Sequence, residues 1–133
     1  MTSSFEQERR EFVRIKLEIP IRYKFVAPHI KDERLERIYE GYTSNLSAGG
    51  LLLKGPVPDF GWIAELLLGK MVMGVNILLP TEIDPIKSLV RVAWVEALDE
   101  KTKFCTMGLK FKEMTREDQD KLFKFVIRSQ MPS

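Results

Sequence analysis

The sequence contains a single cysteine, Cys105, and a single histidine, His29, among its 133 residues. One thiol excludes an internal disulfide and fits a reducing compartment, so we expect a cytoplasmic protein. One imidazole in a polar segment, with no cysteine nearby, predicts that there is no metal site. The N-terminus lacks the apolar core of a signal peptide. No stretch reaches the ~18 continuous apolar residues of a membrane span.

Excess charge of one sign is also lacking, because 21 Lys and Arg residues against 19 Asp and Glu residues give a net charge of +2. This balance argues against a general nucleic-acid binder, which carries a strongly basic face. Residues 9–24 nevertheless hold six cations against two acids, which matches a small dianion better than a long polyanion. There is no phosphate-binding glycine loop, catalytic triad or zinc spacing. We therefore predict neither an enzyme nor a bound cofactor.

What the chain does contain is a succession of strand patterns. From Val13 to Phe25, apolar side chains occupy the odd positions, a period of two that is typical of a half-buried strand. Pro20 interrupts the pattern and predicts an edge position or a bulge, because proline cannot donate to a sheet ladder. Further strands are predicted at residues 51–53, 71–79, 88–98 and 103–111. The strand at residues 88–98 has Val90, Val92 and Trp94 on one face, and Trp94 is most simply a packing residue. Since no βαβ rhythm separates them, the sheet should be antiparallel.

The C-terminal segment changes to a helical period. Thr115 is a suitable N-cap, and Asp118 three residues later resembles a capping box. Four apolar side chains then recur on one helical face: Leu122, Phe123, Val126 and Ile127. Strands followed by one amphipathic helix predict a small barrel whose helix covers an opening or packs against a partner.

Three segments have less regular patterns. Residues 1–12 are polar and are predicted to form a flexible arm, with the folded domain spanning residues 13–130. Residues 28–42 fit either a helix or a loop that leads into a strand. Residues 55–62 are rich in glycine and proline and predict a loop. Trp62, at the end of this segment, is most simply a packing residue, although a position in an exposed loop would let it touch a partner.

Two short motifs carry the chemistry. The first is Arg10-Glu11-Phe12-Val13-Arg14, an Arg-x-x-x-Arg sequence preceded by Arg9. The second is residues 45–50, Asn-Leu-Ser-Ala-Gly-Gly, an Asn-x-Ser-x-x-Gly sequence. Either motif alone also fits a solvated surface or an ordinary turn, in which glycine supplies a positive φ. Their order, their spacing and the strand patterns around them point to function.

With both motifs in place, the sequence resembles the PilZ domain, the bacterial receptor module for cyclic di-GMP, from about residue 8 to residue 130. In that family, Arg-x-x-x-Arg opens the domain and [Asp/Asn]-x-Ser-x-x-Gly lies across the ligand from it. Residues 90–95 are similar to the penultimate strand of the family, and residues 107–111 to its last strand. Residues 28–42 depart from the pattern by being longer than usual.

The resemblance implies a mainly β fold, a six-stranded antiparallel barrel with a C-terminal α-helix. It also implies a cytoplasmic receptor whose arm orders over cyclic di-GMP and changes the interaction with a protein effector of motility, pilus or exopolysaccharide machinery. An arginine directly before the motif, as Arg9 is here, resembles the sequence of family members that hold two intercalated ligand molecules. The expected ligand-binding residues are Arg9, Arg10, Arg14, Asn45, Ser47, Gly49 and Gly50.

The residue types fit this ligand independently of the family. The planar fork of arginine bonds guanine O6 and N7 as well as phosphate oxygens, and its flat face stacks on purines. A ligand-free PilZ-type scaffold that acts only through protein contacts stays open as an alternative. A barrel for single-stranded nucleic acid would need aromatic side chains interleaved with cations, and here the aromatics fall on apolar faces. The sequence leaves open whether the protein is a monomer or a homodimer.

Overall fold

The computed structural model describes residues 18–131. Six antiparallel strands close into a barrel in the order β1-β2-β3-β6-β5-β4, and one helix follows the last strand. The strands are β1 (Ile19–Val26), β2 (Tyr39–Thr43), β3 (Gly50–Pro56), β4 (Val72–Ile77), β5 (Ile86–Leu98) and β6 (Phe104–Glu113). The helices are α1 (Gly61–Leu67) and α2 (Arg116–Gln130), and a short 3-10 helix spans Glu33–Glu36. The predicted fold class is confirmed.

Strand β1 explains how the barrel closes. It pairs with β2 on one side, from Ile19 opposite Thr43, and with β4 on the other. Its odd positions, Ile19 to Phe25, are almost completely buried, as the alternation predicts. The part of this pattern at residues 13–17, and the predicted boundary between arm and domain, lie outside the described residues.

Pro20 occupies neither of the positions predicted for it. Since β1 is paired on both sides, it is not an edge strand, and its register with β2 runs without a shift from Ile19 to Tyr23. Pro20 is the second residue of the strand, and its carbonyl accepts a hydrogen bond from the Leu78 N–H at 3.0 Å. A proline is tolerated there because the strand is only beginning.

The core formed by the described residues is mainly apolar, and it includes the Tyr23 hydroxyl and the Cys105 thiol. The buried Tyr23 hydroxyl donates to the Pro56 carbonyl at 2.6 Å, and burial raises its pKa. Cys105 lies on the inner face of β6, 1% exposed, and burial also raises the pKa of its thiol. A raised pKa disfavours the thiolate, so Cys105 acts as a core residue.

Residues 28–42 form a connection that contains a short 3-10 helix and leads into β2, rather than a longer helix. Asp32 caps the 3-10 helix by accepting a hydrogen bond from the Arg34 N–H, and it also binds the Arg34 guanidinium at 2.6 Å. This hydrogen bonding lowers the pKa of Asp32 to about 2. Arg34 reaches on to Asp59 at 2.9 Å and lies over the Trp62 ring. The turn is thereby tied to the start of α1.

The interpretation of residues 55–62 as a loop is wrong at its end, whereas the packing role predicted for Trp62 is confirmed and the alternative of an exposed Trp62 is excluded. Helix α1 begins at Gly61, whose N–H donates to the Asp59 carboxylate at 2.8 Å. Trp62 is 4% exposed and packs against Phe25, with ring centroids 5.2 Å apart. The proline and glycine residues dominate the local pattern and hide the amphipathic turn that follows them.

Helix α2 lies on the outside of the barrel, against the start of β5. Its N-cap is as predicted, because the Thr115 hydroxyl accepts a hydrogen bond from the Asp118 N–H at 3.1 Å. The Asp118 carboxylate instead accepts from the Lys87 N–H of β5 at 3.0 Å, which fastens the helix to the sheet. Leu122 and Val126 are buried, whereas Phe123 and Ile127, predicted for the same face, are exposed. No helix within residues 18–131 is long and apolar enough to cross a membrane.

We predict that Thr115→Ala lowers the free energy of unfolding by about 1 kcal/mol, because the cap for the first turn of α2 is lost. Thr115→Ser retains the hydroxyl and should stay within about 0.5 kcal/mol of the unmodified chain. Urea denaturation followed by circular dichroism measures both values. Equal stability of the alanine and serine variants would show that the cap contributes nothing.

Candidate functional site

The Asn-Leu-Ser-Ala-Gly-Gly segment forms a tight turn between β2 and β3, built from its own polar groups. The buried Thr43 hydroxyl donates to the Asn45 carbonyl at 3.0 Å and accepts from the Asn45 N–H at 3.1 Å. Ser47 donates twice to the Gly50 carbonyl, from its N–H at 2.9 Å and from its hydroxyl at 3.1 Å. Leu52 N–H closes the turn on the Asn45 carbonyl at 3.0 Å. Such short side chains favour turns because they bond to nearby backbone.

The exposed polar atoms of this turn face outward. Asn45, Ser47 and Gly49 are exposed. The hydrogen bonds of Asn45 with its neighbours use its backbone, and no group within residues 18–131 engages its side-chain amide. Asn45 can therefore offer both a donor and an acceptor to a ligand. The Ser47 hydroxyl donates to the protein but keeps acceptor capacity.

The two glycines serve different purposes, and neither has a positive φ. Gly50 is buried where β3 meets β6, and a Cβ there would lie 2.0 Å from the Leu109 carbonyl oxygen. Its missing side chain thus lets two strands of the barrel approach each other. A Cβ on Gly49 would meet nothing within 4 Å, so open space lies beside this residue. Of the two glycines, Gly49 is the one with room for an approaching ligand.

Beside the turn, a groove of about 540 Å³ runs over the outer surface of β3, β6 and β5. This volume falls within the range of roughly 300–1,000 Å³ that is usual for small-molecule sites. The groove brings together all four predicted residues of the second motif. Its lining comprises Asn45, Ser47, Gly49, Gly50, Leu51, Leu52, Trp94, Glu96, Leu109 and Lys110.

Trp94 forms an aromatic wall of this groove, although the sequence pattern placed it in the core with Val92. The β5–β6 register shifts between Val92 and Trp94, so the Trp94 side chain turns to the outer face and is 50% exposed. Its ring covers Gly108, the paired residue on β6, where a Cβ would lie 2.1 Å from the ring. One ring face thus rests on bare backbone. The signal available in the sequence was Gly108 inside the strand pattern of residues 103–111, because a glycine within a strand marks a bulge or a close approach of another group.

Positive charge collects along one rung of the outer surface. Lys110 is paired with Gly50 on one side and with Arg91 on the other, so two exposed cations stand directly opposite each other. Like charges in this arrangement are destabilising. Neither of them forms an ion pair with any residue that the structure describes. Lys110 therefore brings to the groove, beside Gly50, a positive charge that no described residue neutralises, whereas the Arg91 guanidinium lies next to Gly69, outside the groove lining.

The predicted arginines Arg9, Arg10 and Arg14 lie outside the described residues. The described chain nevertheless enters the barrel next to the turn, since Ile19 is paired with Thr43 and Asn45 follows two residues later. Arg14 precedes Ile19 by five residues, a span of at most about 17 Å when extended. The segment before Ile19, which we call the leader and which carries the first motif, is thus joined to the fold beside the second motif.

The other chemically reactive side chains stand apart from this groove. His29 Nε2 lies 3.3 Å from Glu65 Oε2, an exposed pair between the β1–β2 connection and α1. Within residues 18–131, no three histidine, cysteine, aspartate or glutamate side chains are grouped so that they could hold a metal ion. The outer groove is therefore the candidate functional site.

The closed antiparallel barrel, with an external groove that is lined by a polar turn and an aromatic wall, defines a small β-barrel domain with a candidate site on its surface. The family model described as PilZ domain matches residues 8–128. The chain belongs to the PilZ domain family, and the resemblance found in its motifs is confirmed. No curated protein matches the sequence.

Among solved structures, the chain is similar to the Bacillus subtilis inhibitor of motility, MotI/DgrA, with a TM-score of 0.57 and 20% sequence identity. The match covers 91% of this chain and 51% of the Bacillus protein, so this chain spans about half the length of that relative. At this identity, the likeness supports the fold.

We predict opposite outcomes for alanine at the two neighbouring glycines. Gly50→Ala forces a methyl group against the Leu109 carbonyl and should lower the free energy of unfolding by about 1–3 kcal/mol. Gly49→Ala enters open space at a negative φ and should change stability by about 0.5 kcal/mol or less. Chemical denaturation of the two variants, side by side, tests the assignment. Similar losses in both would contradict the close approach of β3 and β6.

Proposed function

We propose that this chain is a non-enzymatic receptor for cyclic di-GMP that binds the ligand in the outer groove. The observation that carries the proposal is the pairing of Ile19 with Thr43, because it joins the arginine-bearing leader to the barrel beside the Asn45 turn. The two motifs are about thirty residues apart in the sequence, and this pairing lets them meet at one end of the groove. An arrangement with the leader attached at the opposite end of β1 would have left them unable to converge.

The groove supplies complementary chemistry for a guanine dinucleotide. The Asn45 amide forms hydrogen bonds with a guanine edge. The Ser47 hydroxyl accepts a hydrogen bond from a base, or from a water molecule that also donates to a phosphate. Gly49 leaves room for the ligand to approach the backbone. The exposed face of Trp94 stacks a base, as aromatic side chains do with every nucleobase. Lys110 pairs with a phosphate beside Gly50.

The leader provides the rest of the binding energy. In the proposed complex, Arg10 and Arg14 close over the ligand and bond phosphate oxygens and guanine edges, and Arg9 assists with a second ligand molecule. Each charge-assisted hydrogen bond contributes about 1.5–3 kcal/mol. Ordering the leader and the ligand offsets much of this gain. Four or five such contacts are consistent with micromolar or tighter binding, about −8 kcal/mol or below.

Binding is proposed to act as a switch in the cytoplasm. The arm formed by residues 1–12, the first part of the leader, orders over cyclic di-GMP and creates a surface that an effector protein recognises. The similar Bacillus protein bears the name inhibitor of motility, which favours motility machinery over pilus or exopolysaccharide machinery as the output.

We predict that Arg10→Ala and Arg14→Ala each weaken cyclic di-GMP binding by about 10- to 100-fold, since each removes charge-assisted hydrogen bonds. Isothermal titration calorimetry measures the affinities. The matched control is Arg37→Ala, an exposed arginine just before β2, at the end of that strand remote from Asn45. Its affinity should equal that of the unmodified chain.

Two results would contradict the proposal in different ways. Unchanged affinity in both leader variants would remove the arginines from the site. Absence of binding by the unmodified chain at high micromolar ligand would favour a scaffold that acts through protein contacts alone.

The adjacent arginines 9 and 10 predict that two cyclic di-GMP molecules bind per chain as an intercalated pair. The same calorimetric titration should give a stoichiometry near two, and Arg9→Ala should reduce it toward one. A stoichiometry of one for the unmodified chain would rule out the paired ligand without affecting the groove assignment.

A further inference from the structure

Glu96 is the one acidic side chain among the groove residues that the structure describes, and the proposed ligand is a dianion. It is exposed and forms no ion pair with any residue from 18 to 131, so it does not neutralise the nearby Lys110. A carboxylate in a phosphate site repels the ligand unless it meets hydrogen-bond donors. The position of Glu96 therefore indicates that it contacts a part of the ligand that donates hydrogen bonds.

The local backbone explains why Glu96 faces the groove together with Trp94. Register shifts in β5 occur between Val92 and Trp94 and again between Val95 and Ala97. In the ladder with β6, Val95 is paired with Met107 and Ala97 with Thr106, so Glu96 has no partner of its own. Such an extra residue re-aims side chains. The two irregularities leave an aromatic face and a carboxylate two residues apart on one wall of the groove.

We propose that Glu96 selects guanine by accepting hydrogen bonds from the N1–H and the exocyclic amino group of a base that is stacked on Trp94. These two donors lie side by side on the Watson–Crick edge of guanine and match the two oxygens of a carboxylate. Adenine presents an unprotonated N1 at the same place, and that acceptor repels the carboxylate. This inference rests on the proposed receptor function, because it assigns the base specificity of the same groove.

The charge distribution along the groove supports this orientation. Lys110 lies on the rung with Gly50, whereas Glu96 lies beyond the Trp94–Gly108 pair on the other side. A nucleotide with its base on Trp94 can therefore direct its phosphate toward Lys110 and its base edge toward Glu96. Like-charge repulsion between Glu96 and the phosphates is reduced by this separation.

The test is a comparison of Glu96→Gln with the unmodified chain, using cyclic di-GMP and cyclic di-AMP as ligands in calorimetric titrations. The glutamine side chain keeps one acceptor but turns a donor toward the guanine amino group. We expect cyclic di-GMP affinity to fall by about 10- to 100-fold. Cyclic di-AMP affinity should stay equal or rise, so the selectivity between the two ligands narrows.

Glu100→Gln is the matched control, because this exposed carboxylate lies in the β5–β6 connection, outside the groove lining. It should retain both the affinity and the selectivity of the unmodified chain, and thermal melting should show that both variants fold. If the unmodified chain binds cyclic di-GMP and Glu96→Gln binds it with unchanged affinity and selectivity, the inference is overturned alone. If the unmodified chain binds no cyclic di-GMP, the receptor proposal and this inference fall together.

Discussion

The pairing of β1 with both β2 and β4 is the constraint on which the rest of this molecule depends. It closes the barrel and buries the alternating apolar residues Ile19 to Phe25. It also decides where the preceding segment joins the fold, because Ile19 is held opposite Thr43. Hydrogen bonds of the backbone thus join the segment that carries the first motif to the rim where the second motif lies.

The irregularities of β5 shape the outer wall of the barrel into the candidate site. A regular strand would place Trp94 inside and leave the outer face without an aromatic group. The shift after Val92 moves the ring outside, and Gly108 gives it a flat bed of backbone. On the other side of the groove, Gly50 allows β3 to approach β6 closely enough for the turn and the ring to line the same groove. Core packing and site construction therefore share the same few backbone features.

Much of the fold follows from local patterns that the sequence displays. The period of two in β1 and β6 correctly identifies Tyr23 and Met107 as core residues, and the Thr115 cap locates the start of α2. These features depend on neighbours in the sequence, so local patterns are enough to predict them. The position of Pro20 in a doubly paired strand could not be predicted, because that pairing involves residues more than twenty and fifty positions away.

Of the candidate site, the turn could be predicted from the sequence, whereas the wall formed by β5 could not. The turn motif marks Asn45 and Ser47, because short polar side chains beside glycine predict an exposed turn. The sequence did not predict that Trp94 and Glu96 face the groove, because a bulge reverses which side chains point outward without changing the residue composition. The same limit applies to Phe123, which shares a helical face with Leu122 in projection. Whether the barrel buries such a residue depends on where the barrel ends beneath the helix, and the helical period of the sequence does not give that position.

The contact of the Trp94 ring with Gly108 has a consequence for how this sequence can diverge. Any side chain at position 108 would collide with the indole, and a small residue at position 94 would leave the β6 backbone bare to water. Neither position can change first without harm, so the two are expected to be inherited as a unit. In related chains, a missing tryptophan and a substituted glycine should be found together, and such lineages should lack an aromatic ring on this face of the barrel.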